Sequence, residues 1–327
     1  MAKYTAIGGQ ALIEGIMMKS PEKTALAVRK PDGEIDISYL TEKSLRNKYK
    51  IFRIPVLRGI VAYIESMMQG YKAMMLSAEK SGFTDLEEEN KKEETKKDEK
   101  KTSTLVNIVM VIGSVLGVAL SVVLFMLVPR LIVGGAEKLF SIEFSPVVRS
   151  GIEQFIKMAV FVFYVWCVTF MKDIKRVFMY HGAEHKTIFC YEKGLPLTVE
   201  NVRKQKRFHP RCGTSFLILM ILISIVFSTA IQMIFGGIYE KTWLWVIIKI
   251  LMLPLICGAG FEVLRFCGKY DNIVTRIISA PGMWLQRLTT KEPEDDMIEI
   301  AIASIKACEP EEPDVDRSVD KEQNEAE

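Results

Sequence analysis

Residues 105–128, LVNIVMVIGSVLGVALSVVLFMLV, run without a single ionisable side chain. That is longer than the roughly 20 residues a helix needs to cross the hydrocarbon core of a bilayer. A chain in lipid must satisfy its own backbone N–H and C=O groups, so such a run folds as a helix among other helices. Residues 216–236 repeat the pattern, and 243–261 form a third case in which Lys249 and Pro254 are tolerable inside a bundle. Residues 155–171 are shorter and compete with a reading as a core helix of a soluble domain. Four spans are expected. Since 49% of the 327 residues are hydrophobic while 25% are charged, the two kinds must be segregated along the chain.

Lysines and arginines set the expected orientation, because cytoplasmic loops carry the positive excess. The loop 172–215 holds ten of them, whereas the connection 129–154 holds Arg130, Lys138 and Arg149, and the turn near Tyr239 holds Lys241 alone. Both termini and the basic loop are therefore expected in the cytoplasm, with anionic lipid headgroups as partners of that loop. Nucleic acid is not expected as a partner, since the basic residues sit where topology already requires them. The N-terminus lacks the apolar core of a signal peptide. Six scattered cysteines fit a reduced compartment better than a disulfide framework.

Outside the spans, residues 1–82 are expected to form a small cytoplasmic α+β region. In it, TALAVRK-PDG-EIDISYL places a turn-forming Pro-Asp-Gly between two β-prone runs, a hairpin signal. Pro55 then opens a helix with apolar residues at Leu57, Ile60, Val61, Ile64, Met67, Met68, Tyr71, Met74 and Met75, a stripe expected to be buried in a core or at a membrane surface. A partner groove lined by methionines is the competing reading. Residues 83–103 read as a disordered charged linker and 309–327 as a disordered acidic tail. Between them lie the membrane domain, 104–290, and a short amphipathic cytoplasmic helix at 291–308. The fold class expected is mainly α, a polytopic helical bundle with the small α+β region appended.

Two of the three histidines stand in YHGAEHKTIFC and the third in FHPRC. His181 and His185 are four apart, so on a helix both imidazoles leave one face, near enough to share an ion. Glu184 between them completes H-x-x-E-H, the order in which histidines hold zinc and the glutamate serves as general base. Gly194 supplies a helix end, after which HPRCGTS returns to the membrane face and could bring His209 and Cys212 to the same ion. The plain alternatives are interfacial histidines with solvent and backbone partners, a buried thiol at Cys190, headgroup anchors at Arg207 and Arg211, and for Glu262 an ion pair with Arg265 one turn away.

GGQALIEGIMMKSP, IPVLRGIVAYIESMMQGYKAMMLSAE, YHGAEHKTIFCYE with FHPRCGTSF, and PGMWLQRLTTKEPEDDMIEIAIASIK together resemble the YqhQ-like family. The resemblance covers nearly the whole chain. It implies a bacterial, multi-pass plasma-membrane protein, described as a predicted metal-dependent enzyme without an assigned reaction. Its metal expectation falls on His181, Glu184, His185, His209 and Cys212. The opening motif adds Gly8, Gly9, Gln10 and Glu14, where a structural turn competes with a role for Glu14 in the site.

Two functions compete. Three protein ligands would leave zinc an open position and make the chain a zinc-dependent hydrolase acting at the cytoplasmic membrane face on a peptide, protein or lipid substrate, with Glu184 polarising the water. Four would close the shell, giving a noncatalytic scaffold or assembly factor with a structural metal. Manganese or iron also suit these donors. A transporter is disfavoured, because the first span carries no charge and only Glu262 and Lys249 could line a polar path.

Overall fold

The computed structural model describes residues 7–41, 49–83, 112–113, 115–210, 212–234, 242–270 and 272–309. Almost all of the expected charged linker, residues 105–111 of the expected first span, and 310–327 of the acidic tail lie outside them.

Four strands, β1 (Gly8–Leu12), β2 (Gly15–Lys19), β3 (Thr24–Arg29) and β4 (Ile35–Tyr39), form an antiparallel meander in sequence order. The β3–β4 pair is the hairpin expected from Pro-Asp-Gly, with Ala25 opposite Tyr39 and Gly33 at φ 89°. Sequence reasoning did not foresee β1 and β2, which put Gly9 opposite Met18 and Glu14 in the connecting turn at φ 50°. Side chains alternate between the two faces of a strand, and here both faces are covered. Ile16, Met18, Ala25 and Ala27 enter one core with Met297, Ile300 and Ile305, while Leu12, Met17, Leu26 and Val28 enter another with Ala73.

The first face is closed from the other end of the chain. Helix α9 (Asp295–Cys308) buries Met297, Ile298, Ile300, Ala301 and Ile305 against β2 and β3. Its Ser304 hydroxyl, also buried, lies 3.0 Å from the Ile16 carbonyl and 3.3 Å from that of Ala25. Residues 291–308, read separately from 1–82 in the sequence, thus share one core with the sheet.

Helix α1 (Leu57–Lys80) covers the second face with its small residues, not its large ones. Gly59, Ala62, Gly70, Ala73, Ser77 and Ala78 are buried, whereas Ile64, Met67, Met68, Tyr71 and Met75 are exposed. Of the two expected settings for the apolar stripe, a protein core does not take these residues, which leaves the membrane surface. Close approach is the reason the small residues pack inward: a Cβ on Gly59 would come 2.7 Å from the Gly258 carbonyl, and one on Gly70 would overlap the Gln10 amide.

Four described helices are long and apolar enough to cross a membrane: Val115–Phe140, Val147–Val168, Gly213–Ile231 and Val246–Cys267. They belong to α2 (Val115–Phe140, with a π turn at Val123–Leu127), α3 (Pro146–Val168), α6 (Gly213–Ile234) and α7 (Thr242–Lys269). The first runs twelve residues past the expected end at 128 and takes in Arg130 and Glu137. The second starts earlier than 155 and takes in Glu153. Arg130, Glu153 and Gln154 are buried, and Arg149 pairs with Glu137 at 3.1 Å. The expectation of a charge-free first span is corrected accordingly; charged groups are tolerated at this depth when they face neighbouring helices.

Helices α4 (Lys172–Glu192), α5 (Val199–Arg203) and α8 (Ile273–Thr289) join the bundle to the sheet domain. α4 packs on β1 and α9, and α8 runs along α6, where Gly282 leaves room for Ser215. Glu262 of α7 is held by Arg58 of α1, with Nε at 2.6 Å from Oε1, so its ion-pair partner is Arg58 where Arg265 had been expected.

Candidate metal centre

α4 enters at Lys172 and ends at Glu192, with Gly194 following at φ 66°, the left-handed position at which helices commonly stop. Its middle turns, Tyr180 to Ile188, are buried throughout because β1 and α9 pack on one side and the 289–293 segment crosses on another. Gly182 makes that crossing possible. A Cβ there would overlap the Lys291 carbonyl, and Lys291 N–H donates to the Phe178 carbonyl at 2.8 Å.

His181 and His185 lie one turn apart on α4 and meet edge to face, with ring centroids 4.4 Å apart. Each ring spends one nitrogen on a backbone carbonyl. His181 Nδ1 lies 2.8 Å from Thr289 O, and His185 Nδ1 lies 2.5 Å from Arg207 O. A carbonyl can only accept, so both Nδ1 atoms carry the proton and both Nε2 atoms present lone pairs. The His181 Nε2 is 3.1 Å from Cys212 Sγ, and the His185 Nε2 is buried without a hydrogen-bond partner among the described residues. Donor atoms of His181, His185 and Cys212 all lie within 4.8 Å of one another, and all three residues are buried. A buried lone pair without a donor is costly in an apo protein and suited to a cation.

The electrostatics point the same way. Burial alone would push the Cys212 thiol up, but the His185 imidazole and the Thr214 hydroxyl and amide outweigh it, and the net shift is downward, towards thiolate. Burial lowers His185, keeping it neutral and able to ligate. Burial raises Glu184 to about 8, helped by Cys212 and opposed by His181 and by the Gly9 N–H, which donates to the carboxylate.

Glu184 thus stands beside the His–His–Cys group on the flank facing β1. A Cβ on Gly9 would come 2.9 Å from the Glu184 carboxyl carbon and 2.8 Å from Met18 Sδ, whereas one on Gly8 would meet nothing within 4 Å. Only Gly9 of that pair makes the close approach. Glu14 accepts from Arg176 Nη2 at 2.7 Å and from the Tyr180 hydroxyl at 2.9 Å, tying the β1–β2 turn to the helix one turn before His181.

His209 does not join the three donors. Its ring packs on Phe189 at 4.6 Å and its Nε2 lies 3.5 Å from Glu192 Oε2, with the His185 ring 5.7 Å away. Burial lowers its pKa to about 4. Its backbone is clamped by Gln286, whose amide accepts from His209 N–H and donates to His209 O, both at 2.8 Å, and donates to Ser215 Oγ at 3.1 Å. Gln286, Thr289 and the Arg207 carbonyl were missed in the sequence; a buried glutamine inside PGMWLQRLTT is the single faint signal there. Lys186, also buried, reaches Arg203 O at 2.9 Å and pairs with Glu292, and Arg207 reaches Glu292 at 3.5 Å. Cys190 is a buried thiol 3.6 Å from the Pro196 carbonyl. Arg211 lies outside the described residues.

A family described as "Protein of unknown function (DUF1385)" matches residues 54–311. An uncharacterised protein of Bacillus subtilis (strain 168), YqhQ, is 37% identical over 300 residues, which cover 91% of each chain. No solved structure matches.

Proposed function

Because the chain belongs to the DUF1385 family, whose description names no reaction, we propose a function from the donor geometry: a metal-dependent hydrolase at the cytoplasmic face of the membrane, holding zinc on His181, His185 and Cys212. The observation that carries this reading is the orphaned His185 Nε2 beside the Cys212 thiol, with each imidazole oriented through its Nδ1 by a carbonyl. Outer partners of this kind fix tautomer and ring direction in metal sites. Three protein donors leave a tetrahedral ion one open position. Zinc in such a site supplies Lewis acidity and makes water a nucleophile near neutral pH.

Glu184 is the residue that takes up the proton. Its buried carboxyl stands next to His185 and is contacted by Gly9, so it is the group placed within the site to serve as general base. The basic loop supports an inward-facing orientation with both termini cytoplasmic, and anionic headgroups as its neighbours. Cys212 stands immediately before the span that begins at Gly213, with His181 and His185 beside it, so the substrate is a peptide or lipid reached at the membrane surface.

Glu184→Gln tests the reading. Wild type and variant, each reconstituted in liposomes of total membrane lipid with a tryptic membrane digest, are compared by mass spectrometry for new hydrolysis products. The variant should keep its zinc and form no product. A variant with the same products as wild type, alongside loss of fold in His181→Ala, would instead establish a noncatalytic scaffold.

A further inference from the structure

Helix α1 has two sides, and the sheet occupies only one. Ile64, Met67, Met68, Tyr71 and Met75 lie along the other, between 38% and 66% exposed. Their spacing of three and four places them in one stripe down the helix. The 3-10 turn before α1 extends it, with Ile51 and Ile54 more than half exposed. A continuous apolar strip of this length is not left in water by a stable protein.

We infer that this stripe is immersed in the lipid bilayer, making α1 an in-plane membrane helix that carries the sheet domain on its back. Continuity with the spans selects lipid as the occupant. The first turns of α1 are fastened to the bundle by the Gly59–Gly258 close approach, the Arg58–Glu262 ion pair and the Tyr63 ring, 5.6 Å from that of Phe216. Phe216, Gly258 and Glu262 all belong to membrane-crossing segments. The helix therefore leaves the bundle at the level where α6 begins. Methionine suits such a surface, since its flexible thioether adapts to disordered acyl chains. Such anchoring holds the sheet, and with it the Gly9 contact to Glu184, at a fixed height over the membrane.

Lipid photolabelling tests the inference without reference to any activity. The full chain is placed in nanodiscs of phosphatidylglycerol and phosphatidylethanolamine, one copy per disc, with a tracer phospholipid carrying a diazirine high on its acyl chain. Adducts on Met67, Met68, Tyr71 and Met75 should exceed those on the β3–β4 turn by about tenfold, because a stripe sunk roughly 5 Å into the acyl boundary meets the reagent and a loop in water does not. Span residues Leu131 and Val226, both exposed on the bundle, serve as the positive reference. Labelling of the stripe at the level of the turn overturns the inference. So does labelling that disappears when two copies share a disc, which would make the stripe an interface between copies.

Discussion

The His181 Nε2 and the Cys212 Sγ stand 3.1 Å apart, although one belongs to a helix buried under the sheet and the other immediately precedes a membrane-crossing helix. Nothing local enforces that meeting. It is produced by the 289–293 crossing over Gly182 on one side and by the Gln286 clamp on His209 and Ser215 on the other. A site assembled from three separate segments is sensitive to any one of them, and that sensitivity can be measured.

Purified wild-type protein should carry close to one zinc per chain by elemental analysis. His181→Ala and Cys212→Ser should each lose it, with affinity falling by more than the roughly 10–100-fold expected for an outer partner. His209→Ala should retain the metal, since that ring faces Glu192 and Phe189. Loss of zinc in His209→Ala equal to that in His181→Ala would show that the shell has four ligands.

Gly182→Ala should weaken zinc without touching a ligand. The added methyl overlaps the Lys291 carbonyl, so the crossing segment must lift, and the Thr289 carbonyl that holds His181 Nδ1 moves with it. An affinity loss of roughly 10–100-fold is expected, the range for an outer partner. Competition against a chelator of known affinity reads it directly. Unchanged affinity would mean that Thr289 does not orient the ring.

Stability of the metal-free protein should fall as pH rises, by the share Glu184 contributes. Its pKa in the folded chain is about 8, above the ordinary carboxyl value of 4.5, so the folded state binds more protons between those limits. The contribution is fully present below 4.5 and is lost as pH climbs through 8, on the order of a few kcal/mol in all. Other groups contribute to the pH dependence of the whole protein, so the informative quantity is wild type minus Glu184→Gln. Thermal unfolding of both chelated proteins from pH 5 to 8 should show wild-type stability falling steadily relative to that of Glu184→Gln as pH rises. A constant difference would place the carboxyl outside its buried setting.

Much of this arrangement was legible because it rests on period and length. The apolar runs announced four spans, Pro-Asp-Gly announced the β3–β4 hairpin, and the i, i+4 histidines on a helix ending before Gly194 announced a shared face. The misses come from contacts distant in sequence. For α1, periodicity recorded amphipathicity and not which side meets protein, so it left core and membrane surface open; the glycines and alanines that pack closely carry little hydropathy. Span limits slipped where Arg130, Glu137 and Glu153 interrupt the apolar count, since a charge that faces a neighbouring helix costs less than one that faces lipid. The division of labour between His209 and Cys212 was equally hidden: FHPRC brings both near the site, and only the Gln286 clamp decides which one points in.

Gly9 offers the cleanest link between the sheet and the chemistry, because Gly8 beside it is a built-in control. Alanine at position 9 would put a methyl 2.9 Å from the Glu184 carboxyl carbon and 2.8 Å from Met18 Sδ. Overpacking of this kind costs about 1–3 kcal/mol. The Glu184 carboxyl, which accepts from the Gly9 amide, must then shift. Gly9→Ala should therefore lower the melting temperature and disturb the pH slope that Glu184 confers, while zinc content stays at the wild-type level. Gly8→Ala should change none of these, since its added Cβ meets nothing within 4 Å. Equal melting temperatures for the two variants would mean that β1 does not press on the helix carrying the histidines.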